Sequence, residues 1–261
     1  MSSQVVLSKD SNEIRVSGGF LFLTPYDATK NIDDNMASFV AEKVEIGISE
    51  IVLASALKFP STGGTVIIDP DNDNSETVTY TSITNNTLSL ESPTTKEHAL
   101  DAVALYVGAN GYDEMFCAGH SEGTTINLGK EDGEIRRNEL GEAVAMNPTF
   151  SKPKLTINLM QSGINEIALA NGWDIEADLV EGLVVAGVTE QRHYAGIYVA
   201  KSKKVNSNEV SYQIWLFPHL YIGASSDINY NTEIKALAIS MQCLVGSPEN
   251  YDVKLMQLPK M

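Results

Sequence analysis

Val210-Ser211-Tyr212-Gln213-Ile214-Trp215-Leu216-Phe217 is the stretch on which the fold turns. Val210, Tyr212, Ile214 and Leu216 alternate with Ser211, Gln213, Trp215 and Phe217. Successive side chains of a strand point to opposite faces, so a period of two reads as a strand. The second face is half apolar, which predicts a strand covered on both sides.

The same period recurs outward from it. Residues 235–245 set Leu237, Ile239, Met241, Cys243 and Val245 against Ala236, Ala238, Ser240, Gln242 and Leu244. Residues 154–161 set Leu155, Ile157 and Leu159 against Thr156 and Asn158. Residues 194–200, rich in aromatic and branched side chains, read as a fourth strand, with 201–208 a polar connection to Val210. Helical signals are fewer. Ser162 suits a cap, Ile164, Ile167 and Ala168 fall at helical spacing, and Gly172 suits a left-handed stop, which predicts one helix packed on a sheet. Residues 34–42, with Met36, Phe39 and Val40, predict a second, short helix.

Residues 51–107 have a different texture. Short β-favouring runs at 65–68, 76–80, 87–90 and 102–107 are punctuated by Gly, Asn and Asp, the pattern of hairpins rather than of strand–helix–strand units. They read as an inserted all-β module. It divides a core domain made of residues 1–50 and 108–261. The fold class expected is mainly β: an antiparallel sandwich or barrel with one packed α-helix, plus the small insert.

Composition narrows the function. The chain has 261 residues, 43% of them hydrophobic, enough for a substantial core. Its net charge of −16 does not suit gripping a phosphate backbone, which needs clustered Lys and Arg. The two cysteines, Cys117 and Cys243, lack metal-ligand spacing and are too few for a disulfide framework, so reduced thiols are expected. No signal-peptide pattern opens the chain, and the strongest apolar run, residues 182–188, is too short to span a bilayer. A soluble protein made in a cytoplasm is expected.

The insert resembles a small β module recurrent in phage virion proteins, through Phe59-Pro60, Gly63-Gly64, Val66, Ile68, Glu76, Val78, Tyr80-Thr81, Asn86-Thr87-Leu88, His98-Ala99 and Ala102-Val103. That module usually has Gly where Asp101 stands, and a tighter turn than residues 69–75; a longer hairpin is the expected result. The flanking chain resembles phage major tail proteins. The resemblance runs in order through Gly18-Gly19-Phe20-Leu21-Phe22 with Thr24-Pro25-Tyr26, then Gly119, Glu122-Gly123, Gly133-Glu134-Ile135 and Gly141-Glu142-Ala143-Val144. It continues through residues 156–161, Asn165-Glu166 to Gly172, 212–220 and 233–245.

The resemblance implies a virion protein assembled in a bacterial host's cytoplasm. Its subunits form rings, usually of six, which stack into a tail tube that conducts double-stranded DNA during ejection. Its partners would be copies of itself, tape measure, terminator or distal tail proteins, and passing DNA that it does not bind specifically. No cofactor, metal or catalytic site is implied. Other virion pieces of similar fold, such as distal tail, tail-completion or decoration proteins, are the alternative. The charged stretch holding Lys130, Glu131, Asp132, Glu134, Arg136, Arg137 and Glu139 is expected to be a long loop between strands that makes contacts between stacked rings. The insert is expected on the tube exterior and to be dispensable for the channel.

Four sharper motifs compete with bland readings. Gly119-His120-Ser121-Glu122-Gly123 spells the G-x-S-x-G of an esterase nucleophile elbow, but β-branched residues 124–128 follow where that turn needs a helix, so a plain turn is expected. Asp69, Asp71 and Asp73 begin like a calcium loop, yet Asn74 and Tyr80 stand where it needs Gly and Glu, so a solvated hairpin tip is expected. His98, His120, His193 and His219 are scattered without metal spacing, and His98 is expected to pack or hydrogen-bond within the insert. Trp173 and Trp215 are expected in core or interface.

Overall fold

A computed structural model describes residues 13–70, 72–128, 130–137, 143–150, 152–159, 169, 192–203, 210–222, 237–246 and 251–258. Its strands, in chain order, begin with β1 (Glu13–Pro25), β2 (Asn35–Phe39), β3 (Glu50–Val52), β4 (Gly64–Ile68), β5 (Glu76–Thr84), β6 (Thr87–Leu90) and β7 (Val103–Val107). Next come β8 (Phe116–Asn127), β9 (Lys130–Arg137), β10 (Ala143–Phe150) and β11 (Lys154–Leu159). The last four are β12 (Arg192–Lys203), β13 (Val210–Ile222), β14 (Leu237–Leu244) and β15 (Lys254–Leu258).

The four alternating segments all fold as strands of one antiparallel sheet, ordered β12-β1-β8-β11-β14-β13. Pairing of β12 with β13 closes it into a barrel. The long β13 serves two neighbours on its other edge. His219–Ile222 pair with β14, and Tyr212–Leu216 pair with β15. The barrel is filled by Leu21, Leu23, Leu155, Ile157, Leu159, Trp215, Phe217, Ile239, Met241 and Cys243. Full burial of each large apolar side chain contributes about 1.5–3 kcal/mol.

The second sheet, ordered β2-β7-β4-β5-β6-β3, also curls on itself. Val40 bridges Leu53, Ala41 N–H donates to the Val52 carbonyl at 2.8 Å, and Ala54 N–H donates to the Phe39 carbonyl at 2.7 Å. These bonds join its first and last strands around Ile51, Leu53, Val66, Ile68, Val78, Tyr80 and Leu88. The β unit read at 51–107 is thus a sheet whose strands run from Asn35 to Val107.

A third core joins the two. Phe22, Ala195, Ile197, Val199, Ile214 and Leu216 on the outside of the first barrel pack against Ile32, Ala37, Phe39, Val103, Leu105 and Tyr112. Alternate residues of β1, β12 and β13 therefore fill the barrel and the seam in turn. This is why the Val210 strand is apolar on both faces.

The helix predicted at 34–42 does not describe what is seen. In place of a helix at 34–42 there is a single 3-10 turn, Ile32–Asp34, and then β2, buried along its whole length and paired with β7. Met36 and Val40 point into the second barrel while Ala37 and Phe39 point into the seam. A strand buried on both faces has no polar beat, and a chance spacing of apolar residues then imitates a helix. The other helix prediction covers 162–172. That segment lies outside the described residues except for Leu169, which is 1% exposed in the first barrel's core.

Candidate functional site

The charged stretch after β8 folds as a ribbon. Where β8 and β11 leave the barrel, Asn127 pairs with Lys154; farther out Lys130 pairs with Phe150, and the register runs on to Arg137 opposite Ala143. The predicted long loop is instead this β9–β10 hairpin, with residues 138–142, and Glu139 among them, outside the described residues. Lys130, Glu131, Asp132, Glu134, Arg136 and Arg137 all lie on β9, interrupted only by Gly133 and Ile135. So many charges suggested a loop because a buried strand could not hold them, yet they run along a strand that, among the described residues, joins neither barrel's sheet. At about 3.4 Å per residue, β9 is about 27 Å long. Among the described residues β9 and β10 pair only with each other. An isolated two-stranded hairpin is marginal in water, and its open edges are templates for pairing with another chain.

A second cluster lies at the seam. Asp101 has φ +68, a left-handed conformation that costs a non-glycine residue and is tolerated best by Asp and Asn. Its Oδ1 accepts the Tyr212 hydroxyl at 2.8 Å, and Tyr212 stacks on Phe39 with centroids 4.2 Å apart. Burial, and then the bond to the Asp101 carboxylate, push the Tyr212 hydroxyl far above its ordinary value. The position thus brings a carboxylate to the joint. Asp33 makes another polar tie, its Oδ1 accepting Tyr251 Oη–H and Lys254 Nζ–H, each at 2.7 Å. Beside Asp101 opens a cleft of about 370 Å³, floored by Gly18 and Gly19 and walled by Phe20, Phe39 and His120.

Within the second barrel His98 is fully buried between two carboxylates: Nδ1 meets Asp69 Oδ2 at 2.8 Å and Nε2 meets Glu76 Oε2 at 3.0 Å. Each ring nitrogen thus faces a carboxylate oxygen. Burial raises the Glu76 carboxyl, but hydrogen bonds from Thr95, His98 and the Lys96 N–H outweigh it and hold Glu76 below its ordinary value. His98 does hydrogen-bond within the module, as its sequence context suggested. Asp69, however, is not a solvated tip: it is 6% exposed, because a histidine from a distant turn covers it. Asp71 lies outside the described residues. Among those described, no group of three or more His, Cys, Asp or Glu could hold a metal.

Ser121 sits in the middle of β8, not on a turn. It is fully buried in the barrel, its Oγ 2.9 Å from Tyr198 Oη and 3.1 Å from Thr124 Oγ1. Its neighbour His120 points the other way, to the cleft, with its ring 5.0 Å from Phe20. A nucleophile elbow needs an exposed serine on a strand-to-helix turn; a mid-strand serine inside the barrel lacks that setting. Gly119 belongs to a bulge in the β1–β8 pairing, with φ +127, a conformation that favours glycine.

Strand pairing also unites residues far apart in sequence. His193 Nδ1 and His219 Nε2 lie 2.7 Å apart, and Tyr26 stacks on His219 at 3.9 Å. They crown the barrel end opposite the ribbon, since β1 runs from Glu13 beside Asn127 to Pro25 beside Tyr194. Cys117 and Cys243 are free thiols, and burial pushes Cys243 up to about 12. Trp215 is core, while Trp173 lies outside the described residues.

No protein-family model matches the chain, and no match to a curated protein was found. No helix among the described residues is long and apolar enough to cross a membrane.

Proposed function

We propose that this chain is a structural subunit of a bacteriophage tail tube, assembling with copies of itself into stacked rings of six that conduct double-stranded DNA. The observation that carries the reading is the β9–β10 ribbon, a two-stranded arm outside both barrels with its outer edges unpaired among the described residues. Such an arm gains its stability from a partner. A second copy, contacted head to tail, is a partner that repeats along a tube. Among the described residues, the strands of each barrel pair around a ring, while the ribbon and the outer edge of β15 offer backbone that can join another chain. The net charge of −16 supports a wall past which DNA slides, since a basic wall would hold a polymer with one charge per about 1.7 Å. In this reading Lys130, Glu131, Asp132, Glu134, Arg136, Arg137 and Glu139 make the contact between rings, the second barrel lies outside the channel, and no residue is catalytic.

Negative-stain microscopy of the purified protein tests it, with and without residues 131–137. Long tubes from the intact chain and folded, unstacked particles from the shortened one are the expected results. Tubes that grow unchanged without the ribbon would remove its role. Single rings from the intact chain would move the reading to a distal tail, tail-completion or decoration protein.

A further inference from the structure

We infer that His193 and His219 chelate one divalent transition-metal ion at the barrel end opposite the ribbon. Such a site lies within one chain and needs neither the ribbon nor a second copy. The two residues stand on the neighbouring strands β12 and β13, and the strand register, not a spacing in the chain, brings them together. His193 Nδ1 and His219 Nε2 are 2.7 Å apart. Two nitrogens bound at about 2.0 Å to one ion stand about 2.8 Å apart when they meet it at a right angle, and about 3.3 Å apart at a tetrahedral angle. The observed separation suits neighbouring corners of a square-planar or octahedral ion, the geometries of Cu2+ and Ni2+, better than it suits tetrahedral Zn2+.

One ring is held and the other can turn. Tyr26 lies flat on His219, with centroids 3.9 Å apart and planes 2° from parallel. The His219 ring also hydrogen-bonds the Val245 backbone. With Nε2 turned to His193, that bond falls to Nδ1, and an Nδ1–H donated to a carbonyl fixes the tautomer whose Nε2 lone pair is available. Ligating histidines characteristically donate their other N–H to a carbonyl, carboxylate or water, which orients the ring and makes it a better ligand. His193 is exposed, with the Tyr221 ring 5.4 Å away. Without an ion the two rings share a proton in one N–H···N bond, their centroids 4.8 Å apart. A turn of the His193 ring about its soft terminal torsion aims both lone pairs at a single point. The shared proton then passes to the other nitrogen of His193, so the neutral pair takes up the ion without losing a proton. Among the described residues no set of three His, Cys, Asp or Glu could hold a metal, so water fills the remaining positions and the coordination stays open. The net charge of −16 gathers cations around the chain, so the decisive measurement is of which atoms bind, not only of how tightly.

Isothermal titration of the full chain with Cu2+, at about pH 7.5 where free imidazole is mostly neutral, makes the first test. One equivalent should bind with a Kd below about 0.1 mM. His193→Gln and His219→Gln each leave a single imidazole and should each weaken that binding at least about tenfold, while His120→Gln, outside the pair, should bind as the wild type does. Melting of each variant in the presence of a chelator shows whether it is folded. Electron paramagnetic resonance of the wild-type Cu2+ complex makes a second test that needs no variant: the spectrum should be tetragonal, with splitting from two directly bound imidazole nitrogens. A spectrum with fewer than two bound nitrogens overturns the proposal, and so does a folded His193→Gln or His219→Gln chain that binds Cu2+ as tightly as the wild type. Either result would leave the pair as a hydrogen bond between two rings.

Discussion

The seam between the barrels makes a quantitative prediction through Ile197. Its side chain is fully buried among Phe22, Phe39, Val103, Leu105 and Leu216. Ile197→Ala removes three carbons, worth about 2.4 kcal/mol at about 0.8 kcal/mol each. The cavity adds about 1–1.5 kcal/mol, at about 24 cal/mol per Å³ for a void of about 50 Å³. A loss of about 3.5–4 kcal/mol should lower the urea midpoint by about 1 M for a slope near 3 kcal/mol per M. The chain unfolds as one unit if the seam is a true core. Trp215 fluorescence reports the first barrel, and hydrogen exchange of amides in β4 and β5 reports the second. Both should weaken together in Ile197→Ala. If fluorescence shifts while β4 and β5 keep their protection, the barrels are independent and the second is a detachable module. Excising residues 35–107 should correspondingly leave the first barrel insoluble, because Phe22, Ile197, Val199, Ile214 and Leu216 would face water. A soluble, folded first barrel would instead support the dispensability expected of an insert.

His98→Ala leaves Asp69 and Glu76 facing a void, with side-chain exposures of 8% and 9%, and should cost about 3–5 kcal/mol in chemical denaturation; a loss under about 1 kcal/mol would refute the paired arrangement. Ser121→Ala should cost about 1 kcal/mol by removing one of the Tyr198 hydroxyl's bonds, and Tyr198→Phe should then cost less in that variant than alone; additive losses would refute that coupling. Burial, and then the neighbouring His193, hold His219 below its ordinary value of 6.5. The unfolded chain therefore takes up that proton more readily than the folded one, so stability is complete above about pH 6.5 and falls as pH drops toward the folded value. His219→Gln should flatten the melting temperature between about pH 7 and 5, and an unchanged slope would refute the assignment. Cys243, raised to about 12, should resist alkylation at pH 8 in the native state while half-buried Cys117 reacts.

The strands were legible because their alternation is strict. Leu155, Ile157 and Leu159, like Ile239, Met241 and Cys243, point into the barrel as read. The face of the Val210 strand that holds Trp215 and Phe217 is likewise the barrel's interior, while Ile214 and Leu216 lie in the seam. β2 was misread because burial on both faces removes the polar beat that separates a strand from a helix. β9 was misread because its charges fit a loop equally well. The sites were less visible. Nothing in the residues around Asp101 marks it, and its partner Tyr212 is far off in the chain. His193 and His219, like His98 and Asp69, meet only once the register is set, and no spacing rule reports a register.

The two-sided burial of β12 and β13 has a consequence for folding. In a sheet with one wet face, a slip of one residue throws the apolar set into water, so solvent proofreads the alignment. Here a slip would trade one greasy face for another, and water would barely object. Alignment must instead be checked by shape. Gly19 admits Tyr198 and the Val199 carbonyl at distances no Cβ would allow, and the Tyr198 hydroxyl finds Ser121 only in the native frame. Those few contacts act as a key in a lock that hydrophobicity alone would leave free to turn. Substitutions there should yield misaligned, aggregating chains more readily than equally buried changes elsewhere in the barrel.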